Sequence, residues 1–465
     1  MKLKITSILV AACVGSFTVN SYADDLLQIY QLAQQKDPVL LQAKAKRDAS
    51  FEKISQSQAA LLPQINLTAG YTASTGHNST DSESYSDLYK YHQSTAGLSL
   101  SQSIFSKANW LNLGIAEKTA TQQDALYKYQ QQHLIVRVAT AYFNVLRAID
   151  NLSYVRANKA SVARQLEQTK QRYKVGLTPI TDVNESQAEY DRTVAQEIQS
   201  ENTLANSYEA LRDIIGIRPQ NLKLLNTKLF APAPLQQAKK FWMNQAIDKN
   251  LQLNAERISK QISEQQIDLA KSGHLPTLSL VADGTTGYMS FDKSDLSNYQ
   301  SGHTNQGTIG LQFSMPLYQG GSVNSQVLQA RYNYVQASQA LVQTFRTVQV
   351  NLYQTYNDVR ANLSSIKAYK QTVASSLSAL KATEAGFDVG TRTIVDVQDS
   401  TSNYYQSKEQ LAGARYDYIV NMLTLKEFAG TLKLTDLQSI NNLLYQPQDQ
   451  IPKQPVAPGL NQRSK

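Results

Sequence analysis

The chain has 465 residues, a net charge of +8 and a single cysteine, Cys13. That length exceeds one ordinary domain, and one cysteine excludes a disulfide framework. The positive charge is spread along helical patterns with no dense basic cluster, which favours solvated faces over nucleic-acid binding.

Lys2 and Lys4 precede an apolar run over residues 5–19, and Ser21-Tyr22-Ala23 places small residues around a cleavage point. Residues 1–23 therefore read as a secretory signal peptide. Val10-Ala11-Ala12-Cys13 offers a competing lipoprotein signal, but the apolar core ahead of Cys13 is short and apolar residues continue past it. Cleavage after Ala23 is the better reading and leaves a mature chain without a thiol. No later segment supplies the ~18 apolar residues that a transmembrane helix needs. An exported chain of this kind is periplasmic, secreted, or part of an outer-membrane β-barrel.

Residues 24–61 are rich in Gln, Ala, Leu and Lys and predict a helix, ended by Leu62-Pro63. From Gln64 the period becomes two, with Ile65, Leu67, Ala69, Tyr71 and Ala73 opposed to Asn66, Thr68, Gly70 and Thr72. A polar loop is expected over residues 77–91, then a second strand with Ala96, Leu98 and Leu100 on one face, ending at Ile104-Phe105. Residues 106–174 contain no proline and predict one helix on the order of 100 Å long. Thr178 is expected as the next N-cap with Pro179 at the first helical position. That helix runs to Ile215, and residues 217–240, with three prolines, form an irregular connection.

The order then recurs. A helix over residues 242–272 stops at His274-Leu275-Pro276, and a third strand opposes Leu278, Leu280 and Ala282 to Ser279 and Asp283. After a polar loop over residues 291–303, a fourth strand carries Ile309, Leu311, Phe313, Met315 and Leu317 on one face. A helix free of Gly and Pro follows Gly320-Gly321 as far as Gly386, and another runs from the turn at Gly390 to Phe428. Self-similarity at this scale predicts an internal duplication, with repeats over residues 24–230 and 231–446 and a disordered tail over 447–465.

Each strand has one apolar face and one face of Ser, Thr, Gly and Gln, which fits either a soluble sandwich or membrane strands. Membrane-spanning length favours the second reading, as do Tyr71, Tyr91, Tyr288 and Tyr318 near strand ends, where an aromatic girdle would lie. Four strands cannot close a barrel, and lipid does not tolerate open edges, so several chains would have to contribute. The long helices fit a hollow coiled-coil cylinder or a solid bundle.

The two helix-joining turns, Val175-Gly176-Leu177 and Val389-Gly390-Thr391, are helix C-caps by their glycines. Asp396 and Asp399 follow the second turn on one helix face. They serve either as acids that stabilise a helix start or as carboxylates lining a pore. The five histidines show no metal-ligand spacing, and neither a P-loop nor G-x-S-x-G occurs. No catalysis, metal or cofactor is expected.

The chain resembles the TolC-type outer-membrane channel family over nearly all its length after the signal peptide. The resemblance is carried by Leu61-Leu62-Pro63-Gln64, Leu100-Ser101-Gln102-Ser103-Ile104-Phe105 and Thr140-Ala141-Tyr142-Phe143-Asn144-Val145-Leu146. It is also carried by Gly176-Leu177 with Ile180-Thr181-Asp182-Val183, by His274-Leu275-Pro276-Thr277-Leu278, and by Val389-Gly390-Thr391-Arg392-Thr393-Ile394-Val395-Asp396-Val397. It implies a mixed α and β membrane protein: a homotrimer whose four strands per chain share a twelve-stranded barrel, continued by a periplasmic α-helical barrel. A mixed belt is implied at residues 217–240 and 429–446. The implied function is an exit duct for efflux and type I secretion, docked to a periplasmic adaptor and an inner-membrane transporter of RND, ABC or MFS type. Asp396 and Asp399 become the selectivity ring, and Val175, Gly176, Leu177, Val389, Gly390 and Thr391 the adaptor-binding tips. A gate latch is implied for Gln165, Thr181, Asp182, Phe387 and Arg392. Phe387 departs from the family pattern in lacking a tyrosine hydroxyl, so a somewhat weaker closed state is expected. The alternative is a periplasmic adaptor or a structural coiled-coil envelope protein, neither of which requires four alternating strands.

Overall fold

The computed structural model describes residues 25–79, 86–219, 221–291 and 301–446. The signal peptide at 1–23 and the tail at 447–465 lie outside the described residues, as do parts of both polar loops. Two short helices, α1 (Leu26–Lys36) and α2 (Pro38–Ala59), lead into strands β1 (Gln64–Ser79) and β2 (Ser86–Phe105). Two long helices follow, α3 (Lys107–Lys174) and α4 (Ile180–Ile215). After β3 (Leu224–Leu225) the order recurs as α5 (Lys239–Lys249), α6 (Leu251–Lys271), β4 (Thr277–Phe291), β5 (Gly302–Ser314), α7 (Ser322–Asp388) and α8 (Ile394–Phe428). The chain closes with α9 (Leu434–Asn441) and β6 (Leu444–Tyr445).

Where one helix is expected over residues 24–61, the structure has two. Pro38 has no N–H and drives Asp37 out of the helical region, to φ −64° and ψ 117°. The Asp37 carboxylate then caps α2 by accepting the Leu40 N–H at 2.8 Å. The helix expected over 242–272 breaks in the same way at Asn250, at φ −65° and ψ 120°, whose side chain accepts the Leu253 N–H at 2.8 Å. No proline is needed there, which is why the pattern of the sequence conceals the break.

β1, β2, β4 and β5 form one antiparallel sheet in that order, and β3 pairs with β6. The second strand begins at Ser86 rather than near Thr95, so the polar stretch 77–91 is largely strand among its described residues. The third strand likewise extends to Phe291. The fourth ends at Ser314, leaving Met315, Leu317 and Tyr318 beyond it. Polar residues extend a hairpin readily once its ladder is in register, because backbone pairing does not depend on side-chain polarity.

The alternation is realised across the whole sheet. Ile65, Leu100, Ala282 and Ile309 are cross-strand neighbours on one face, and Asn66, Ser99, Asp283 and Thr308 on the other. The apolar side is exposed in the single chain, with Ile309 at 79 %. Three rows farther along the apolar face, Tyr71, Ser94, Tyr288 and His303 are cross-strand neighbours, and all but Ser94 carry aromatic rings. Tyr91 does not join them: its register partners are Ser74 and Phe291, which places it on the polar face.

α3 has 68 residues and α7 has 67, so each is on the order of 100 Å long. α3 and α4 form one antiparallel hairpin, α7 and α8 another, and α3 also packs along α8. The apolar core is confined to mid-length, at 134–146 of α3, 208–215 of α4, 348–366 of α7 and 411–425 of α8. α1, β3 and α9 close over it with Leu26, Ile29, Leu225 and Leu437. Toward the tips the seam between helices turns polar and includes buried Gln165, Thr169, Ser186, Gln398 and Thr401.

Candidate functional site

The two hairpin tips share one construction. After α3, Gly176 adopts φ +74° and the Leu177 N–H donates to the Arg172 carbonyl at 2.9 Å. After α7, Gly390 adopts φ +78° and the Thr391 N–H donates to the Gly386 carbonyl at 2.8 Å. These left-handed C-caps satisfy the last helical carbonyls, and a Cβ would strain both glycines. The tips carry apolar side chains with nothing over them in this chain: Val175, Leu177 and Val389 are 69 %, 71 % and 76 % exposed.

At the start of α4 the structure differs from the expected cap. Pro179 occupies the cap position and Thr178 instead donates its hydroxyl to the Asp182 carboxylate. The Thr181 hydroxyl lies at the limit of hydrogen bonding, 3.5 Å from the other Asp182 oxygen. At the start of α8, Thr393 and Asp396 form a reciprocal capping box. The Thr393 N–H donates to Asp396 at 2.9 Å, and the Asp396 N–H donates to the Thr393 hydroxyl at 3.2 Å. The hydrogen bond from the Thr393 backbone, joined by one from its hydroxyl, holds the Asp396 carboxyl below the usual carboxylate range. Asp399 is exposed and makes no hydrogen bond or ion pair among the described residues, though its charge reaches Arg192 on α4. A helix-start role thus accounts for Asp396 and leaves Asp399 unexplained.

Within one chain the expected latch residues do not all meet. Among the described residues the Arg392 guanidinium has no carboxylate within ion-pair distance, while Asp182 is engaged by its own helix start. Gln165 joins a different contact: its amide donates to the Thr401 hydroxyl at 3.1 Å across the α3–α8 seam. One turn nearer the tip, Gln398 donates to Ser186 at 3.2 Å. Phe387 packs against the Arg172 guanidinium, 4.6 Å from its ring centroid. Sequence reasoning missed Arg172 and Thr401, because each is recognisable only through a partner on another helix.

Farther from the tips, α3 and α8 enclose a charged cluster. The Tyr416 hydroxyl donates to Asp150 at 2.7 Å, and Lys408 lies 4.8 Å from the Tyr154 ring centroid. Burial pushes the Asp150 carboxyl up and the Lys408 ammonium down, and drives Tyr154 up to about 12. No helix among the described residues is long and apolar enough to cross a membrane.

A four-stranded sheet with an exposed apolar face, mounted on paired helices of this length, is the fold of outer-membrane channel subunits. The Campylobacter jejuni CmeC outer membrane channel has it with a TM-score of 0.74, covering 96 % of this chain and 98 % of that one at 14 % identity. The outer membrane efflux protein family model matches residues 29–217 and 242–431, and the chain belongs to that family. The outer membrane protein TolC of Vibrio cholerae is 44 % identical over 438 residues, covering 94 % of this chain and 98 % of the relative. The proteases secretion protein PrtF of Dickeya chrysanthemi is 27 % identical, covering 90 % of this chain and 91 % of the relative.

Proposed function

We propose that the chain is one subunit of a trimeric outer-membrane exit duct that extends through the periplasm. The observation that carries this reading is the sheet: its apolar face is exposed, and among the described residues β1 and β5 each leave an edge unpaired. In lipid those edges must pair, and four strands are too few to close alone. Two copies would reach the practical minimum of about eight strands, and the family resemblance favours three, giving twelve. The apolar face then meets outer-membrane lipid and the Ser/Thr/Gly face lines water. The recurrence of element order, with matched breaks at Asp37 and Asn250 and matched turns at Gly176 and Gly390, supports two repeats over 24–230 and 231–446. β3, β6 and α9 support a mixed belt at mid-length.

In the trimer, Asp396 and Asp399 form a ring of carboxylates at the constriction, which favours cations. Arg392 and the Thr181-Asp182 segment latch the tips between copies, which fits the absence of their pairing within one chain. The apolar tips receive a periplasmic adaptor, and an inner-membrane transporter of RND, ABC or MFS type loads the duct. Family membership supports small toxic compounds as cargo, and the likeness to a protease secretion protein supports proteins as well. The duct needs neither a cofactor nor nucleic acid.

The test is single-channel recording in a planar bilayer, with and without Asp396→Ala/Asp399→Ala. Small cation-selective currents that lose selectivity in the double variant are expected. Unchanged selectivity would remove the carboxylate ring from the proposal. Absence of conductance in the native protein and in an Arg392→Ser variant would overturn the duct.

A further inference from the structure

We infer that Arg172 is a gate-positioning residue, clamping the α3 tip to the α7 tip through the face of Phe387. The inference rests on the gated-duct reading and adds to it a contact within each chain. α7 packs mainly on α8 and α6, and α3 mainly on α4, α8, α6 and α2. Near the tips, the Arg172 guanidinium crosses from the first hairpin to the second and lies 4.6 Å from the Phe387 ring centroid. A planar cation at that distance is attracted to the ring's negative face.

Both partners are held in place by the cap geometry. Arg172 belongs to the last turn of α3, and its carbonyl accepts the Leu177 N–H that closes the turn. Phe387 precedes the α7 cap, and its carbonyl accepts the Gly390 N–H at 3.1 Å. Beside it, Gly386 leaves room for the second arginine: a Cβ there would lie 2.8 Å from Arg392 Cγ and 3.2 Å from Thr391 Oγ1. Arg172 therefore sits on residue 387 while the Arg392 stem crosses residue 386, and the two guanidiniums have separate tasks. Arg392 makes no ion pair among the described residues, its charge reaching Asp396 of its own α8 start, while Arg172 joins the α3 tip to the α7 tip beyond the Gln165–Thr401 and Gln398–Ser186 bonds. Tips that separate during opening must break or carry this contact.

The clamp also gives Phe387 a role that needs no hydroxyl. An aromatic face suffices for the contact with Arg172. A contact of this type at an exposed site shifts an equilibrium by about twofold to fivefold. Three copies opening together would shift it by about 10- to 100-fold.

The experiment is open probability and conductance of purified full-length protein in planar bilayers, with Arg392→Ser as a reference for gate loosening. Arg172→Gln and Phe387→Leu should each raise the open fraction by about 10- to 100-fold, and their combination should go no further than either alone. Arg172→Lys, which keeps a cation without the planar group, should recover only part of the native closure, and Phe387→Tyr, which keeps the aromatic face, should open no more often than the native protein. Gel-filtration profiles and thermal unfolding matching the native protein exclude misfolding as the cause. Native-like gating in Arg172→Gln and Phe387→Leu, while Arg392→Ser opens the channel, would overturn the clamp and leave the duct standing. Additive effects of the two clamp substitutions would overturn it too. If native protein and Arg392→Ser both fail to conduct, the duct reading itself falls.

Discussion

Asp37 shows how much one side chain can do in this fold. It is 1 % exposed, caps α2 through the Leu40 N–H, and accepts Arg137 Nη1 and Nη2 at 3.0 and 3.1 Å on its two oxygens. The bidentate pair fixes the start of α2 on the middle of α3, next to the apolar core. Removing the guanidinium leaves a buried carboxylate with only its cap bond. Arg137→Ala should therefore destabilise the fold by about 3–5 kcal/mol, measured by denaturant unfolding. Arg137→Lys, which keeps a charge without the planar fork, should recover only part of that loss. Asn250, the matching residue of the second half, does the capping without a charge and donates its amide to the Phe428 carbonyl at 2.9 Å. Capping is thus common to both halves, while the ion pair is peculiar to the first.

At the scale of elements, what the sequence discloses depends on whether the signal is local. The long helices were legible because no proline interrupts them, and the tips because Gly176 and Gly390 can adopt positive φ where other residues are strained. The break at Asn250 was hidden, since it depends on an asparagine cap at an interior position that any helix could carry. The α3–α8 contacts were hidden for a different reason: Asp150, Tyr154, Lys408, Arg415 and Tyr416 are unremarkable until two helices bring them together. That cluster gives α3 and α8 a pH response. Burial outweighs the Tyr416 hydrogen bond and the Arg415 and Lys408 charges, so the folded-state pKa of Asp150 lies above its ordinary value. A raised carboxyl pKa favours the folded state as pH falls through it, and penalises the folded state once the group ionises above it. Asp150→Asn should be at least as stable as the native protein at pH 7, with an advantage that shrinks as the pH approaches ~4, near the ordinary carboxyl range. Thermal unfolding of both proteins across that interval checks the sign. An advantage that grows on acidification would contradict it.

For the whole molecule, the decisive distinction is which face of the sheet meets lipid, and the register makes it testable at adjacent residues. Ile309 and Thr308 are consecutive on β5 and point to opposite faces, Ile309 in the row with Ala282 and Thr308 in the row with Asp283. Their backbones pair with the same strand, so strand propensity and edge position hardly differ between them. The difference is the medium each side chain enters. A lysine on the lipid face must desolvate its ammonium or pull it to the interface, at a cost of about 2–4 kcal/mol near the bilayer midplane. A lysine on the water-lined face costs little in stability and places positive charge in the lumen, where it should weaken cation preference. Ile309→Lys should accordingly lower the unfolding free energy of the protein in phospholipid vesicles by about 2–4 kcal/mol without changing the selectivity of the channels that do insert. Thr308→Lys should do the reverse, leaving stability near native and shifting the reversal potential toward anions. The same sheet in a soluble sandwich would also be destabilised by Ile309→Lys, but it would carry no current for Thr308→Lys to alter. The paired substitutions therefore test the orientation of the sheet and the existence of the lumen together.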